Sequence, residues 1–184
     1  MPRCRAACGF TLIELMSVAA VAAILIAVGA PPLGEFLADQ RVRSTASDIA
    51  AEIAFARAKA IENSRRAYIE RIDGEWRNGW RVYVDLNNSG GFDAGEELKR
   101  FEGFAKTGTL YVCSTVADFG AHLIFRPDGR VVRAAGTPST ASDGIYVVDT
   151  LGGGPVAKNK IRALLFGLSG RVTVVKLNGT TPPC

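Results

Sequence analysis

The order of apolar and polar positions divides the chain into an apolar N-terminal stretch, an amphipathic segment and a region of short alternating runs. After a basic segment, residues 1–9, the chain is apolar over residues 10–33 and carries Glu14 as its only charge. The charge-free part, residues 15–33, would be about 28 Å long as an α-helix, which is enough to span a bilayer. Positive charge before the span predicts a cytoplasmic N-terminus and a C-terminal region outside the cytoplasm.

A cleaved secretory signal is the alternative interpretation of the apolar stretch. The stretch is longer than the apolar region of such signals, and it continues directly into a second helical pattern. A lipoprotein signal does not fit either, because no apolar segment precedes Cys8. The sequence therefore predicts a retained membrane helix.

Residues 34–64 have the spacing of an amphipathic helix. Pro31 and Pro32, just before them, predict a kink or an unwound turn, because proline lacks the N–H of the helical hydrogen bond. The helical signal fades near Asn63. Apolar residues recur every three or four positions and form one stripe, on which we expect a C-terminal domain to pack: Val42, Ala46, Ile49, Ile53, Ala56 and Ala60.

The rest of the chain, residues 65–184, has the alternation and the turn residues of β-strands. One long helix followed only by strands predicts an α+β fold, in which the helix packs on a C-terminal antiparallel β-sheet domain. The helix would have a transmembrane half and an amphipathic half. Seven strands are predicted, at residues 68–72, 80–85, 98–104, 122–126, 145–149, 161–166 and 171–177.

Composition argues against catalysis. The 184 residues contain 22 Lys and Arg against 18 Asp and Glu, a net charge of +4, and a single histidine, His122. Ser114 and Ser169 have no plausible histidine partner, because His122 lies within a predicted strand and is interpreted as structural. The cysteine spacings match no zinc pattern. We therefore expect a protein that is not an enzyme.

The segment from Gly9 to Glu14, G-F-T-L-I-E, resembles the cleavage signal of type IV prepilins and type II secretion pseudopilins. The resemblance implies that a prepilin peptidase cuts after Gly9 and methylates Phe10. It also implies that Glu14 pairs with the N-terminus of a neighbouring subunit during assembly. A carboxylate in an apolar span costs about 3 kcal/mol, so such a residue is usually functional. The alternative is a carboxylate at the membrane interface without a partner.

Further motifs resemble the GspH/FimT family of minor pseudopilins and pilins. They are Arg41, Arg43 and Ser44 (R-x-R-S), residues 56–61 (A-R-A-x-A-I), 78–85 (N-G-W-R-V-Y-V-D), 93–97 (D-A-G-E-E) and 168–172 (L-S-G-R-V). The resemblance implies a structural minor pseudopilin of a type II secretion system, with a FimT/FimU-like minor pilin of a type IV pilus as the alternative. The protein would cross the inner membrane once, with its C-terminal domain in the periplasm and other pilin-like subunits as partners. The implied segments are a leader (residues 1–9), an assembly helix (10–33), an amphipathic helix (34–64) and a β-rich periplasmic domain (65–184).

Residues 85–96 have the oxygen-ligand spacing of an EF-hand calcium loop, with Gly90 at the sixth position. The flanking segments are predicted strands rather than helices. A polar hairpin turn is therefore the favoured alternative, and no cofactor is required. The candidate calcium ligands are Asp85, Asn87, Ser89, Asp93 and Glu96.

The C-terminal part of the chain is basic and suits phosphate groups. Some FimT-like minor pilins bind DNA through a G-R-x-R motif. Here Gly170 and Arg171 match it, but Thr173 replaces the second arginine, so the sequence favours a solvated basic rim over DNA binding. The candidate DNA contacts are Arg171, Arg130, Arg133 and Lys176.

Two cysteines, Cys113 and Cys184, would remain after cleavage. In an oxidising periplasm they are expected to form a disulfide. Two unpaired thiols are the alternative, because the sequence gives no distance between them.

Overall fold

The computed structural model describes residues 10–103, 108–114, 119, 121–133, 143–150, 159–167, 169–178 and 181. The chain divides into two compact units. The first ends at Leu37 and the second begins at Ala38.

One helix, α1 (Leu12–Asn63), makes up most of the first unit and begins the second. The Thr11 hydroxyl accepts a hydrogen bond from the Glu14 N–H at 3.3 Å, which caps the start of the helix. The helix ends where expected, before Ser64 adopts a left-handed conformation with φ +51°. The unwound turn predicted at Pro31 and Pro32 is wrong, because the helix continues through both. Each proline removes one helical hydrogen bond, but the surrounding Ala, Leu and Ile residues favour helix.

Among the residues that the structure describes, nine strands follow the helix and form two antiparallel sheets in the second unit. The first sheet has the order β3-β2-β1-β5-β6, and the second has the order β4-β7-β8-β9. Two short 3-10 turns, Ile72–Gly74 and Trp76–Asn78, connect β1 to β2. The strands are β1 (Ala67–Arg71), β2 (Gly79–Val84), β3 (Glu97–Glu102), β4 (Leu110–Ser114), β5 (His122–Phe125), β6 (Val131–Val132), β7 (Gly144–Asp149), β8 (Lys160–Phe166) and β9 (Val172–Asn178).

Each of the seven predicted strands overlaps an observed one, so the predicted α+β architecture is confirmed. The sequence analysis missed β4 and β6. β6 is only two residues long, which is below what an alternating pattern can reveal. β4 is a short apolar run, and such runs are easily overlooked when alternation is the criterion.

The apolar stripe of α1 forms the centre of the core in the second unit. All six predicted stripe residues are buried, and they share one cluster with apolar side chains from both sheets. Three of the six are alanines, which let the helix backbone approach the sheets closely. The sheet residues in this cluster include Ile69, Val82, Leu123, Phe125, Val147 and Leu164.

A smaller cluster lies on the other face of the first sheet. The rings of Tyr68 and Tyr83 stack there, with centroids 4.9 Å apart, next to Ile124 and Val132. Burial raises the pKa of Tyr83 well above its ordinary value, and the nearby Glu70 carboxylate adds to the effect.

Candidate functional site

The helix of the first unit exposes its apolar side chains. Phe10 is 85% exposed, and Ile13, Val18 and Leu25 each expose more than half of their surface. Exposed apolar surface of this extent on a soluble helix would be unfavourable, so this helix calls for a lipid or protein environment. In the part of the chain that the structure describes, no helix meets the length and apolarity needed to cross a membrane. The predicted single span is therefore not confirmed.

Glu14 lies in the first turn of α1, three residues after the capping Thr11. A carboxylate at this position interacts favourably with the partial positive charge of the helix N-terminus. Its side chain is exposed and forms no ion pair with any described residue. Gly9, the predicted cleavage site, lies outside the described residues.

Charged side chains on α1 flank the apolar stripe and bind the sheets of the second unit. Asp39 lies 3.2 Å from the Arg162 guanidinium, and Arg41 donates to the buried Asp149 carboxylate at 2.8 Å. These charged residues therefore form a polar rim of the contact between α1 and the sheets.

The predicted calcium loop is held together by its own hydrogen bonds. The Asp85 carboxylate accepts from the backbone N–H groups of Ser89 and Gly90, each at 3.0 Å. Glu96 accepts from Leu86 at 2.8 Å. Among the described residues, no group of three or more acidic, Cys or His side chains is arranged to hold a metal ion. The geometry is that of a self-capped polar turn, and calcium binding stays an untested prediction.

Hydrogen bonds within the loop also act on Asp93. The amide of Asn87 donates to the Asp93 carboxylate at 2.9 Å, and the hydroxyl of Ser89 donates to it at 2.7 Å. These bonds lower the pKa of Asp93.

Two hairpins of the second unit close with the same kind of turn. In the β5–β6 hairpin, the Arg126 N–H donates to the Arg130 carbonyl at 2.9 Å, and Gly129 has φ +79°. In the β8–β9 hairpin, the Gly167 N–H donates to the Arg171 carbonyl at 2.8 Å, and Gly170 has φ +76°. Each turn therefore places an arginine directly after a left-handed glycine.

The tips of these two hairpins touch. A Cβ atom added at Gly170 would lie 2.0 Å from the Gly129 carbonyl oxygen and 3.1 Å from the Cα of Arg130. Arg57 of α1 binds both tips: its Nε donates to the Gly129 carbonyl at 2.9 Å and its Nη2 to the Ser169 carbonyl at 3.4 Å. The contact brings Arg130 and Arg171 side by side, although 40 residues separate them in the chain.

Further arginines extend this basic surface. A cavity of about 330 Å³ is lined by Ser64, Arg65, Arg66 and Arg126, and Arg126 belongs to the same turn as Arg130. Asp128, 3.7 Å from Arg126, is the acidic side chain paired with it. We call Arg65, Arg66, Arg126, Arg130 and Arg171 the arginine cluster.

The structure separates the other two predicted DNA contacts from the arginine cluster. Arg133 forms a bidentate ion pair with Asp143, with its shortest contact at 2.8 Å. Lys176 lies five residues beyond Arg171 along β9, about 17 Å away in a strand, and faces Asp39 at 3.6 Å. The sequence analysis missed Arg65 and Arg66 because they precede the basic C-terminal part of the chain. Arg126 belongs to that part, but it was not named as a candidate contact.

Cys113 on β4 is disulfide-bonded in the structure. Its partner lies outside the described residues, as Cys184 does. The predicted pairing of Cys113 with Cys184 therefore stays a prediction.

Comparisons with known proteins agree with this architecture. The family model of the type II transport protein GspH matches residues 45–156, which is more than half of the chain. The prokaryotic N-terminal methylation motif matches residues 4–30. No curated protein sequence matches the chain.

Two solved structures are similar to the chain, both of the type IV minor pilin FimU of Pseudomonas aeruginosa strain PAO1 in different crystal forms. The first is 21% identical, covers 74% of this chain and 89% of the FimU chain, and has a TM-score of 0.51. The second is 20% identical, covers 72% and 91%, and has a TM-score of 0.49. At this identity, the first likeness shows a shared fold.

The long N-terminal helix, the two antiparallel sheets packed on its C-terminal half and the family match over most of the second unit all agree. The chain belongs to the GspH family of type II transport proteins, and it carries the N-terminal methylation motif of pilin-like filament subunits.

Proposed function

We propose that this chain is a structural minor pseudopilin of a type II secretion system. Prepilin peptidase removes residues 1–9, and the N-terminal helix then holds the subunit in the inner membrane with its second unit in the periplasm. The observation that carries the proposal is the exposed apolar helix of the first unit, at whose start the Glu14 carboxylate forms no ion pair with a described residue. Such a helix suits a lipid bilayer before assembly and the helices of other subunits afterwards.

Cleavage after Gly9 would place the new ammonium group at Phe10, four residues before Glu14. Within the membrane an unpaired carboxylate is unfavourable, and a neighbouring subunit's N-terminal ammonium would neutralise it. The proposed role of Glu14 is to set the axial position of the subunit in the filament. The proposal assigns no catalytic residues and needs no cofactor.

The Glu14→Val variant tests this role. It should fold and enter the membrane as the wild type does, but it should be lost from filaments sheared from cells. The Glu14→Gln variant, which keeps the size and removes the charge, should behave in the same way. Glu62→Gln is the matched control, since it changes an exposed carboxylate at the other end of the same helix.

Deletion of the gene in its source organism, followed by its restoration, tests which filament the subunit joins. The proposal predicts loss of protein secretion, restored by the wild-type chain and not by Glu14→Val. Loss of type IV pilus functions with normal secretion would assign the chain to a type IV pilus instead. Normal incorporation of Glu14→Val would show that Glu14 has no role in assembly.

Binding of DNA is a second candidate function, and the arginine cluster favours it. Two arginines that follow left-handed glycines lie side by side at the hairpin tips, and no described residue forms an ion pair with either of them. Among the described residues, the cluster has five arginines and one carboxylate paired with them, Asp128, so its net charge is +4. Arginine recognises phosphate groups well because its planar guanidinium donates two hydrogen bonds in parallel.

Gel shifts with the full chain in detergent, at several salt concentrations, test DNA binding. Arg171→Ala should weaken binding and reduce the slope of log affinity against log salt by about 0.9, the value for one phosphate contact. Thr173→Arg, which restores the G-R-x-R motif, should strengthen binding. Arg43→Ala removes an exposed arginine outside the cluster and should have little effect. No shift at low salt, or no response to Arg171→Ala, would leave the structural role as the function of the chain.

A further inference from the structure

The edge strands β3 and β9 differ in how strongly their composition discourages pairing with a further strand. β3 has four charged residues among six, a composition that discourages pairing with a further strand. β9 has only one charge, Lys176, among seven residues, and three of the others are valines. The side chain of Val174 is 45% exposed. β9 is therefore an edge strand with little protection.

The register of the β8–β9 hairpin determines which backbone groups of β9 are open. The hairpin closes with a hydrogen bond from the Gly167 N–H to the Arg171 carbonyl. In an antiparallel pair, hydrogen-bonded positions recur at every second residue, so the odd-numbered residues of β9 bond to β8. The N–H and C=O groups of the even-numbered residues point away from β8, and among the described residues none bonds to them: Val172, Val174 and Lys176.

A positively charged groove runs beside this open edge. Its volume is about 600 Å³, which is within the usual range of ligand-binding clefts. One side is lined by Arg162, Val174 and Lys176, and the other by four residues of α1: Asp39, Arg43, Ser47 and Ala50. Arg162 and Lys176 share the single carboxylate of Asp39, at 3.2 Å and 3.6 Å. Arg43, also in the groove, is exposed and forms no ion pair with a described residue. Three cations and one carboxylate give a net charge of +2.

We propose that the edge of β9 and this groove bind an extended acidic segment of a partner protein, which adds a strand to the second sheet. The main chain of the segment would pair with the open backbone groups of Val174 and Lys176. Acidic side chains at alternate positions would reach Arg43 and Lys176, because alternate side chains of a strand point to one face. This surface does not depend on which filament the subunit joins.

A second copy of this chain fits the edge less well than an acidic partner. Antiparallel pairing of two β9 strands would bring Lys176 and Arg171 of each copy towards the positive groove of the other. Like charges in that arrangement repel each other, whereas glutamate or aspartate would be attracted.

Three synthetic peptides of about nine residues, the length of a long strand, test the proposal on the full chain in detergent. The first alternates valine and glutamate, the second replaces glutamate by lysine, and the third is the first with its backbone amides N-methylated. The first peptide should bind, and the second should bind at least about tenfold more weakly because of charge repulsion. The third should not bind, because N-methylated amides have no N–H to donate to the edge of β9. Binding should also slow hydrogen exchange of the Val174 and Lys176 amides.

Variants of the protein separate backbone pairing from side-chain contacts. Val174→Pro removes an outward N–H that β8 does not use, so the fold should survive while binding is lost. Val174→Thr keeps the backbone donor and should bind like the wild type. Arg43→Glu should weaken binding of the acidic peptide about tenfold, and Arg65→Glu, an equal charge change outside the groove, should not.

Any one of three peptide-binding results would overturn the proposal. They are absence of binding by the acidic peptide, equal binding of the lysine peptide, and undiminished binding to Val174→Pro. Self-association of the full chain that Val174→Pro abolishes would assign the edge to a second copy and would also overturn it. Slowed exchange at Val174 and Lys176 together with the predicted peptide order would establish strand addition at β9.

Discussion

Substitution of Gly170 by alanine changes one atom at the contact between the two hairpin tips. Gly170 has φ +76°, where alanine is less favourable than glycine by about 1 kcal/mol. The new Cβ would also lie 2.0 Å from the Gly129 carbonyl oxygen. That oxygen belongs to the backbone and cannot rotate aside, so the hairpin tips must separate, at a further cost of about 2 kcal/mol. The expected loss of stability is about 3 kcal/mol.

Gly74→Ala is the matched control for this substitution. Gly74 has φ +77°, and an added Cβ atom there would meet no atom within 4 Å. The control therefore carries the same backbone strain without the clash, and it should cost about 1 kcal/mol.

Thermal unfolding followed by tryptophan fluorescence measures both effects. The two tryptophans of the chain, Trp76 and Trp80, are buried in the second unit and report its unfolding. At roughly 3 °C per kcal/mol for a chain of this size, Gly170→Ala should lower Tm by about 9 °C and Gly74→Ala by about 3 °C. Equal shifts for the two variants would show that the hairpin tips do not touch, and would refute the placement of Arg130 beside Arg171.

Two further predictions concern pH and the disulfide. Because burial raises the pKa of Tyr83 in the folded state, the folded state holds its proton more tightly than the unfolded state, and stability should fall as pH rises above about 10. Tyr83→Phe should reduce this alkaline loss of stability, which is measured by unfolding at pH 8 and at pH 11. An unchanged pH dependence in the variant would show that Tyr83 is not its source. Burial also raises the pKa of Tyr111, so Tyr111 should account for part of the remaining loss. For the disulfide, the mature protein should show no free thiol without reductant, and Cys184→Ser should expose Cys113 to labelling and lower stability by up to about 4 kcal/mol, the loop-closure value for such a loop. Two reactive thiols in the unreduced wild type would exclude the Cys113–Cys184 pair.

The architecture could be predicted from hydrophobic periodicity, because burial of apolar side chains determines which face of the helix and of each strand points into the core. The stripe from Val42 to Ala60 was visible in the sequence, and each of its residues is buried in the structure. Local rules failed where neighbouring structure outweighs them. Pro31 and Pro32 remain in the helix, and β6 is a strand of two residues that exists because β5 pairs with it.

The arginine cluster was only partly predictable. Arg171 was singled out as part of an imperfect match to a linear motif, and Arg130 was named as a further candidate DNA contact. Their proximity depends on the contact between the β5–β6 and β8–β9 tips, a long-range contact between different sheets. A linear sequence carries no signal for such a contact, although the shared pattern of a glycine followed by an arginine in both turns does indicate two similar hairpins. Arg57 could not be recognised at all, because it binds backbone carbonyls rather than a charged partner.

Mass analysis of the N-terminus of the protein isolated from membranes of its source organism tests the central claim most directly. A pilin-like subunit is processed before assembly, and the methylation motif covers residues 4–30. The account predicts a mature chain that begins at N-methylated Phe10 and has lost Cys4 and Cys8 with the leader. A chain that still begins at Met1, or one cut near Ala30 after the apolar stretch, would contradict it.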